Sequence, residues 1–280
     1  MKLGVVDVGG GMRGAFAAGA LDHCLEAGVS FDCCVGVSAG SANLITYLAG
    51  QKGRTFRFYR EYAFRRKYMS LSNFIFGGSY FNLDYAYGTL GNSDGENPLD
   101  YAVYANNKAD FFVVAEDAVS GNAVYFTRND IKFDDCRVLM ASSSIPGINK
   151  PYFINGKPYF DGALADPVPI QKAFMEGCDK VVLLLSKPMD EPIDYQTDVF
   201  LANLIKNQYP VSANKLMLRA EKYERSIALA NQYASMNRLI FIAPDETYGI
   251  TAIKRTKEGL EKLYAHGKEK GKQISEWLKI

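Results

Sequence analysis

The sequence predicts an α/β fold: a mostly parallel central sheet with helices on both faces, an α/β/α sandwich carrying a helical C-terminal annex. Three observations predict the layers. Short apolar runs alternate with helix-compatible stretches from residue 3 to about residue 185. That order buries a parallel sheet between helix layers. The run from Val181 to Leu185 is continuously apolar, as a strand covered on both faces must be. From about residue 195 the pattern is mostly helical.

Taken in order, Leu3 to Val8 is an apolar strand that runs into Gly9-Gly10-Gly11-Met12-Arg13-Gly14, and 12–27 reads as a helix. Residues 31–37 form a second strand and 38–50 a second helix. Residues 51–100 are less regular. Asp110 to Ala115 and Ala123 to Thr127 are strands joined through a hairpin turn at Gly121-Asn122. Residues 133–143 read as a helix, Tyr159-Phe160-Asp161 ends a strand, 168–176 is helical and 180–185 is a strand. Pro188 and Pro192 then punctuate the chain. Helices follow at 197–207, 211–236 and 256–279. A short strand at 239–243 is expected at the edge of the main sheet. Residues 1–190 are read as the core, and 191–280 as a mostly helical extension packed on it.

The fragment Gly36-Val37-Ser38-Ala39-Gly40 is a G-x-S-x-G elbow, set between the second strand and the second helix as that motif requires. There a serine projects at a helix N-terminus, where the dipole favours developing negative charge. A glycine-rich turn with an ordinary serine cap is the bland alternative. The loop Gly9 to Gly14 bears on the choice. Consecutive glycines let backbone N–H groups converge, as an oxyanion hole demands. One helix separates its strand from the elbow strand, so a right-handed crossover brings both strand ends to one sheet edge. The loop also fits G-x-G-x-x-G, which keeps a dinucleotide-binding protein as a third reading. The second strand, however, ends without the carboxylate that fingerprint wants.

A serine nucleophile needs a base. His23 and His266 are the only histidines, both on helices and neither after a strand. Asp161, in Phe160-Asp161-Gly162-Ala163, ends a strand at a tight turn and is the better candidate. The ordinary use of Asp-Gly is as a turn.

As a set, G-G-G-x-R-G, then G-x-S-x-G, then D-G-A resemble the motifs of the patatin-like phospholipase family. Ala141-Ser142-Ser143-Ser144-Ile145-Pro146-Gly147 is similar to its A-S-x-x-x-P segment. The stretch Asp161 to Ile170 is similar to its D-G-G/A segment, with Ala163 where many members have glycine. The resemblance covers roughly residues 1–190. It implies a serine–aspartate dyad of Ser38 and Asp161, and an oxyanion hole from Gly10 and Gly11 helped by the Ala39 amide. Arg13 is implied to orient the loop or a phosphate-bearing headgroup of the substrate. It implies hydrolysis of lipid acyl esters through an acyl-enzyme, with no metal or other cofactor. A non-catalytic, regulatory acyl-ligand-binding protein is the alternative.

Composition narrows the rest. The formal net charge of +1 argues against nucleic acid as a partner. The five cysteines show no metal-ligand spacing, and their odd number suits reduced thiols. The first strand leaves no room before it for a signal peptide, and no apolar run is long enough to span a bilayer. The expected location is cytoplasmic, with peripheral contact at the inner face of the membrane. Residues 54–90 interleave arginines with Phe, Tyr and Ile. That composition suits a substrate entrance touching anionic lipid, or an aromatic subdomain packed over the sheet.

Overall fold

The computed structural model describes residues 1–192 and 194–279. Strand β1 (Leu3–Asp7) leads through one 3-10 turn to α1 (Ala15–Glu26) and β2 (Cys33–Val37). Then come α2 (Ala39–Leu48), α3 (Arg54–Arg60), α4 (Leu71–Gly77), a π-helical turn at Asp84–Thr89 and α5 (Tyr101–Asn106). Strands β3 (Asp110–Asp117) and β4 (Ala123–Thr127) precede α6 (Arg137–Ser142), β5 (Tyr152–Ile154) and β6 (Lys157–Asp161). The chain closes with α7 (Ile170–Met175), β7 (Lys180–Leu184), α8 (Tyr195–Ile205), α9 (Pro210–Ser235), β8 (Leu239–Ile242) and α10 (Lys257–Leu278).

All eight strands join one sheet in the order β5-β6-β3-β2-β1-β7-β8, with β4 also paired to β3. The sheet is parallel from β3 to β8 and antiparallel at its other end. Side chains along each strand alternate between two cores, following the two-residue period of a pleated strand. Val5, Cys34, Phe111, Val113, Val182 and Leu184 face α1, α2, α6 and α10. Val6, Val35, Val37, Val114, Val181 and Leu183 face α7 and α9.

Residues beyond 190 are woven into this core. Strand β8 pairs parallel with β7 at the sheet edge, where the sequence places it. Helix α10 lies directly on α1, at a distance set by glycine. A Cβ on Gly267 would sit 1.9 Å from the Phe16 carbonyl oxygen, and one on Gly19 2.1 Å from that of Tyr264.

Four local expectations change. The helix read at 12–27 starts as a 3-10 turn, Gly11–Gly14, because Gly9, Gly10 and Gly11 hold positive φ. The helix read at 133–143 begins only at Arg137. Before it, Asp134 adopts φ 55° in a turn closed by Lys132 and Asp135, a conformation aspartate tolerates. Strand β5 escapes the sequence reading although Asn155-Gly156, both at positive φ, marks a hairpin between it and β6. Helix α5 escapes it too, although the Asp100 side chain caps it by accepting from the Val103 amide.

Candidate active site

Strand β3 brings the two key side chains together. On one edge its first half pairs with β2, ending at Val37 opposite Val114. The next residue, Ala115, pairs with Asp161 at the end of β6. Residues 115 and 116 also pair with β4, so β4 holds the opposite edge and β2 and β6 share this one. The two strands run toward each other along that edge and stop head to head. Ser38 is the residue after one end; Asp161 is the other end.

Ser38 is 7% exposed, with φ 55° and ψ −129°. Holding a residue with a Cβ there costs about 1–3 kcal/mol, and three contacts hold it. The Ser38 N–H donates to Ser142 Oγ at 2.8 Å. Ser142 Oγ in turn donates to the Val114 carbonyl at 2.6 Å. The Ser41 hydroxyl donates to the Ser38 carbonyl at 2.6 Å. Glycine is required around it: a Cβ on Gly36 would lie 2.5 Å from Ser41 Cα, and one on Gly40 2.3 Å from the Asp7 carbonyl oxygen.

Asp161 is 4% exposed and accepts from the Ala163 amide at 2.9 Å. Burial pushes its carboxyl up to about 6. Hydrogen bonding from Ser38 and from the Ala163 amide, and the charge of Arg219, limit the rise. The carboxylate is therefore a stronger base than an exposed aspartate and remains ionised at neutral pH.

The glycine loop packs against the elbow. Gly9, Gly10 and Gly11 have φ 72°, 111° and 60°, and a Cβ on Gly9 would sit 2.2 Å from the Val37 carbonyl oxygen. Asp7 fixes this loop. Its carboxylate accepts from the Gly9 amide and from Asn43 Nδ2, both at 2.9 Å. The Gly10, Gly11 and Ala39 amides donate to no acceptor among the described residues.

A family model described as patatin-like phospholipase matches residues 8–174, more than half of the chain. The chain belongs to the patatin-like phospholipase family. Members of that family are in general lipid acyl hydrolases. Residues 209–279 match a domain of unknown function, DUF6363. The uncharacterized protein YjjU of Escherichia coli (strain K12) is 29% identical over 194 residues. That match takes in 67% of this chain and 52% of YjjU, so the chain spans about half the length of this curated relative. A crystal structure of VipD from Legionella pneumophila aligns over 98% of this chain and 67% of its own, with 14% identity and a TM-score of 0.49.

The patatin-like motifs occupy the ends of β1, β2 and β6 and helix α6. Next to Ser38 lies a cavity of about 70 Å³. Ser38, Gly11 and Ala39 border it, and much of its wall comes from the segment 54–90, including Phe58, Tyr68 and Phe81. That segment is thus both packed over the sheet, with Tyr59, Tyr62 and Met69 buried, and part of the site. Arg13 does not border the cavity. It stands behind Gly10, with Nη1 donating to Glu191 at 3.3 Å and Nε buried without a partner among the described residues. The histidines sit elsewhere: His23 Nε2 is 3.1 Å from Ser275 Oγ, and His266 Nε2 is 3.1 Å from Asp245. No group of three or more potential metal ligands occurs among the described residues.

Sequence reasoning missed Asp7, Ser142 and Arg54 as parts of the site. Asp7 left a signal, a lone carboxylate at the end of an apolar strand just before the glycines. Ser142 lies in a recognised motif, but its role depends on the approach of α6 to Val114, which no spacing reveals. No helix of the described residues is long and apolar enough to cross a membrane.

Proposed function

We propose that this chain hydrolyses lipid esters by a Ser38–Asp161 dyad through an acyl-enzyme. The observation that carries the reading is the head-to-head meeting of β2 and β6 on one edge of β3, which sets a strained serine against a buried aspartate of raised basicity. Ser38 Oγ attacks the ester carbonyl carbon as its proton passes to Asp161. The carbonyl oxygen becomes an oxyanion facing the Gly10, Gly11 and Ala39 amides, donors with no other partner that need no reorganisation. The tetrahedral adduct collapses, the C–O bond to the alcohol breaks, and the alcohol leaves with the proton from Asp161. Water, deprotonated by Asp161, then attacks the acyl-serine and releases the acid. Arg13 acts from behind Gly10, where its amide donates to the Gly10 carbonyl and its guanidinium pairs with Glu191, and so holds the loop.

Helix α4 supports work at a lipid surface. It buries none of its residues, with Ile75 71% and Phe76 90% exposed. Phe76 borders a depression that shares Phe81 and Leu83 with the catalytic cavity. A large exposed apolar cluster beside a site fits insertion between headgroups.

The test is labelling with a fluorophosphonate, combined with turnover of p-nitrophenyl esters and of phospholipid vesicles. Wild type should label at Ser38 and hydrolyse ester, and Ser38→Ala should do neither while keeping its melting temperature. Unlabelled wild type, or turnover unchanged in Ser38→Ala, refutes the dyad.

A further inference from the structure

The cavity beside Ser38 is walled in part by a half-buried cation that has no counter-ion among the described residues. Arg54 Nη1 donates to Thr46 Oγ1 at 2.8 Å, Nε to the Pro98 carbonyl at 3.0 Å and Nη2 to the Asn97 carbonyl at 2.9 Å. These bonds leave one N–H on each Nη nitrogen without a partner among the described residues. No carboxylate there forms an ion pair with it. The groups that do favour its charge are Cys136 and Tyr87. Burial pushes these up to about 11 and about 12, so both are neutral at physiological pH. Burial likewise lowers Arg54 to about 10, which leaves the guanidinium charged. A charge partly withdrawn from water without an opposite charge is costly. A second polar group waits nearby: Thr55 borders the same cavity, and its buried Oγ1 has no partner among the described residues.

Helix α2 fixes how far this cation stands from the chemistry. Ala39 and Ala42 border the cavity, and Thr46 grips Arg54. These are positions i, i+3 and i+7, one face of a helix. A separate, smaller cavity shares Ala42, Arg54 and Tyr87 with the first and adds Ile45 and Leu139; a channel along that face would run through both. Ser38 caps the helix, and Thr46 lies about 12 Å further along the axis at 1.5 Å per residue. An extended acyl chain with bonds of about 1.5 Å covers that span with roughly seven to nine carbons.

We propose that the channel selects an acyl group of medium length that ends in a carboxylate, with the ester at Ser38 and the terminal carboxylate on Arg54 and Thr55. This rests on the hydrolase reading and names its substrate class: esters of α,ω-dicarboxylic acids. Arg54 then determines specificity and touches no reacting atom. The carboxylate completes the unused guanidinium donors and accepts from the threonine hydroxyl. An alkyl chain of the same length leaves the charge uncompensated.

The experiment compares mono-p-nitrophenyl nonanedioate with p-nitrophenyl nonanoate. Wild type should show kcat/KM higher for the dicarboxylic ester by about 10- to 100-fold, the worth of a charge-assisted hydrogen bond. Arg54→Gln should lose that ratio, and Arg54→Lys should keep part of it. Melting temperatures identify a variant that fails to fold, and the wild-type ratio needs no variant. Calorimetric titration of Ser38→Ala with monomethyl nonanedioate and with methyl nonanoate gives a readout without turnover. Tighter binding of the half-ester is expected. Equal affinity, or an alkyl ester preferred in either assay, overturns the proposal. Preferential binding of the half-ester by a protein that hydrolyses no ester would refute the hydrolase reading and leave the carboxylate site standing.

Discussion

Replacing Asp161 by asparagine should make this protein more stable and nearly inactive at once. The carboxyl has an ordinary value of 3.8 and is held at about 6 by burial. The folded state therefore binds more protons than the unfolded chain between those values. Stability falls as pH rises through that window, and above about 6 the full penalty is present. A rise of about two units corresponds to about 3 kcal/mol. Asparagine keeps the shape and an oxygen for the Ala163 amide, and it carries no charge to desolvate. Urea unfolding of Asp161→Asn should show a gain of about 1–3 kcal/mol at pH 8 that shrinks toward zero at pH 4. Turnover should fall by about 10⁴, the scale on which a triad loses activity when its carboxylate is amidated. In wild type, kcat/KM should drop about tenfold per pH unit below about 6 and stay level from 7 to 8. Equal stability of mutant and wild type at pH 8, or an acid limb unmoved from the ordinary aspartate range, would refute the account of Asp161 as a desolvated base.

A second buried carboxyl offers a control without chemistry. Glu116 is 0% exposed, neither of its oxygens has a partner among the described residues, and burial holds it at about 7 against an ordinary 4.5. Its folded-state value is also raised, so it costs stability as pH climbs from about 4.5 to 7. Glu116→Gln should gain up to about 3 kcal/mol at pH 8 and almost nothing at pH 4, with turnover kept; unfolding curves flat in pH for both proteins would contradict this. On α4, changing Phe74, Ile75 and Phe76 to serine should cut hydrolysis of long-chain lipid in vesicles at least tenfold and leave a soluble short-chain ester and the melting temperature nearly unchanged. Equal loss on both substrates would show that α4 serves packing instead.

Much of this was legible in the sequence, for local reasons. The strands at the sheet centre are apolar without interruption, because both faces are covered. The elbow and the glycine loop are written as contiguous residues, because each is a single turn whose close contacts admit only glycine. The β5–β6 hairpin is legible as well, in Asn155-Gly156. What the chain alone does not state is which ends meet. Ser38 and Asp161 are brought together because β3 runs past the end of β2 and leaves edge hydrogen bonds that β6 fills from the other direction. That depends on register, which pairs residues far apart in the chain. The same holds for Ser142, whose hydroxyl bridges the Ser38 amide and the Val114 carbonyl only where α6 meets the sheet. It holds for Arg54 too. In the sequence it is one arginine in a basic, aromatic run. Only the packing of α3 on α2 places its charge, half-buried, in the wall of the cavity with no ion-pair partner among the described residues.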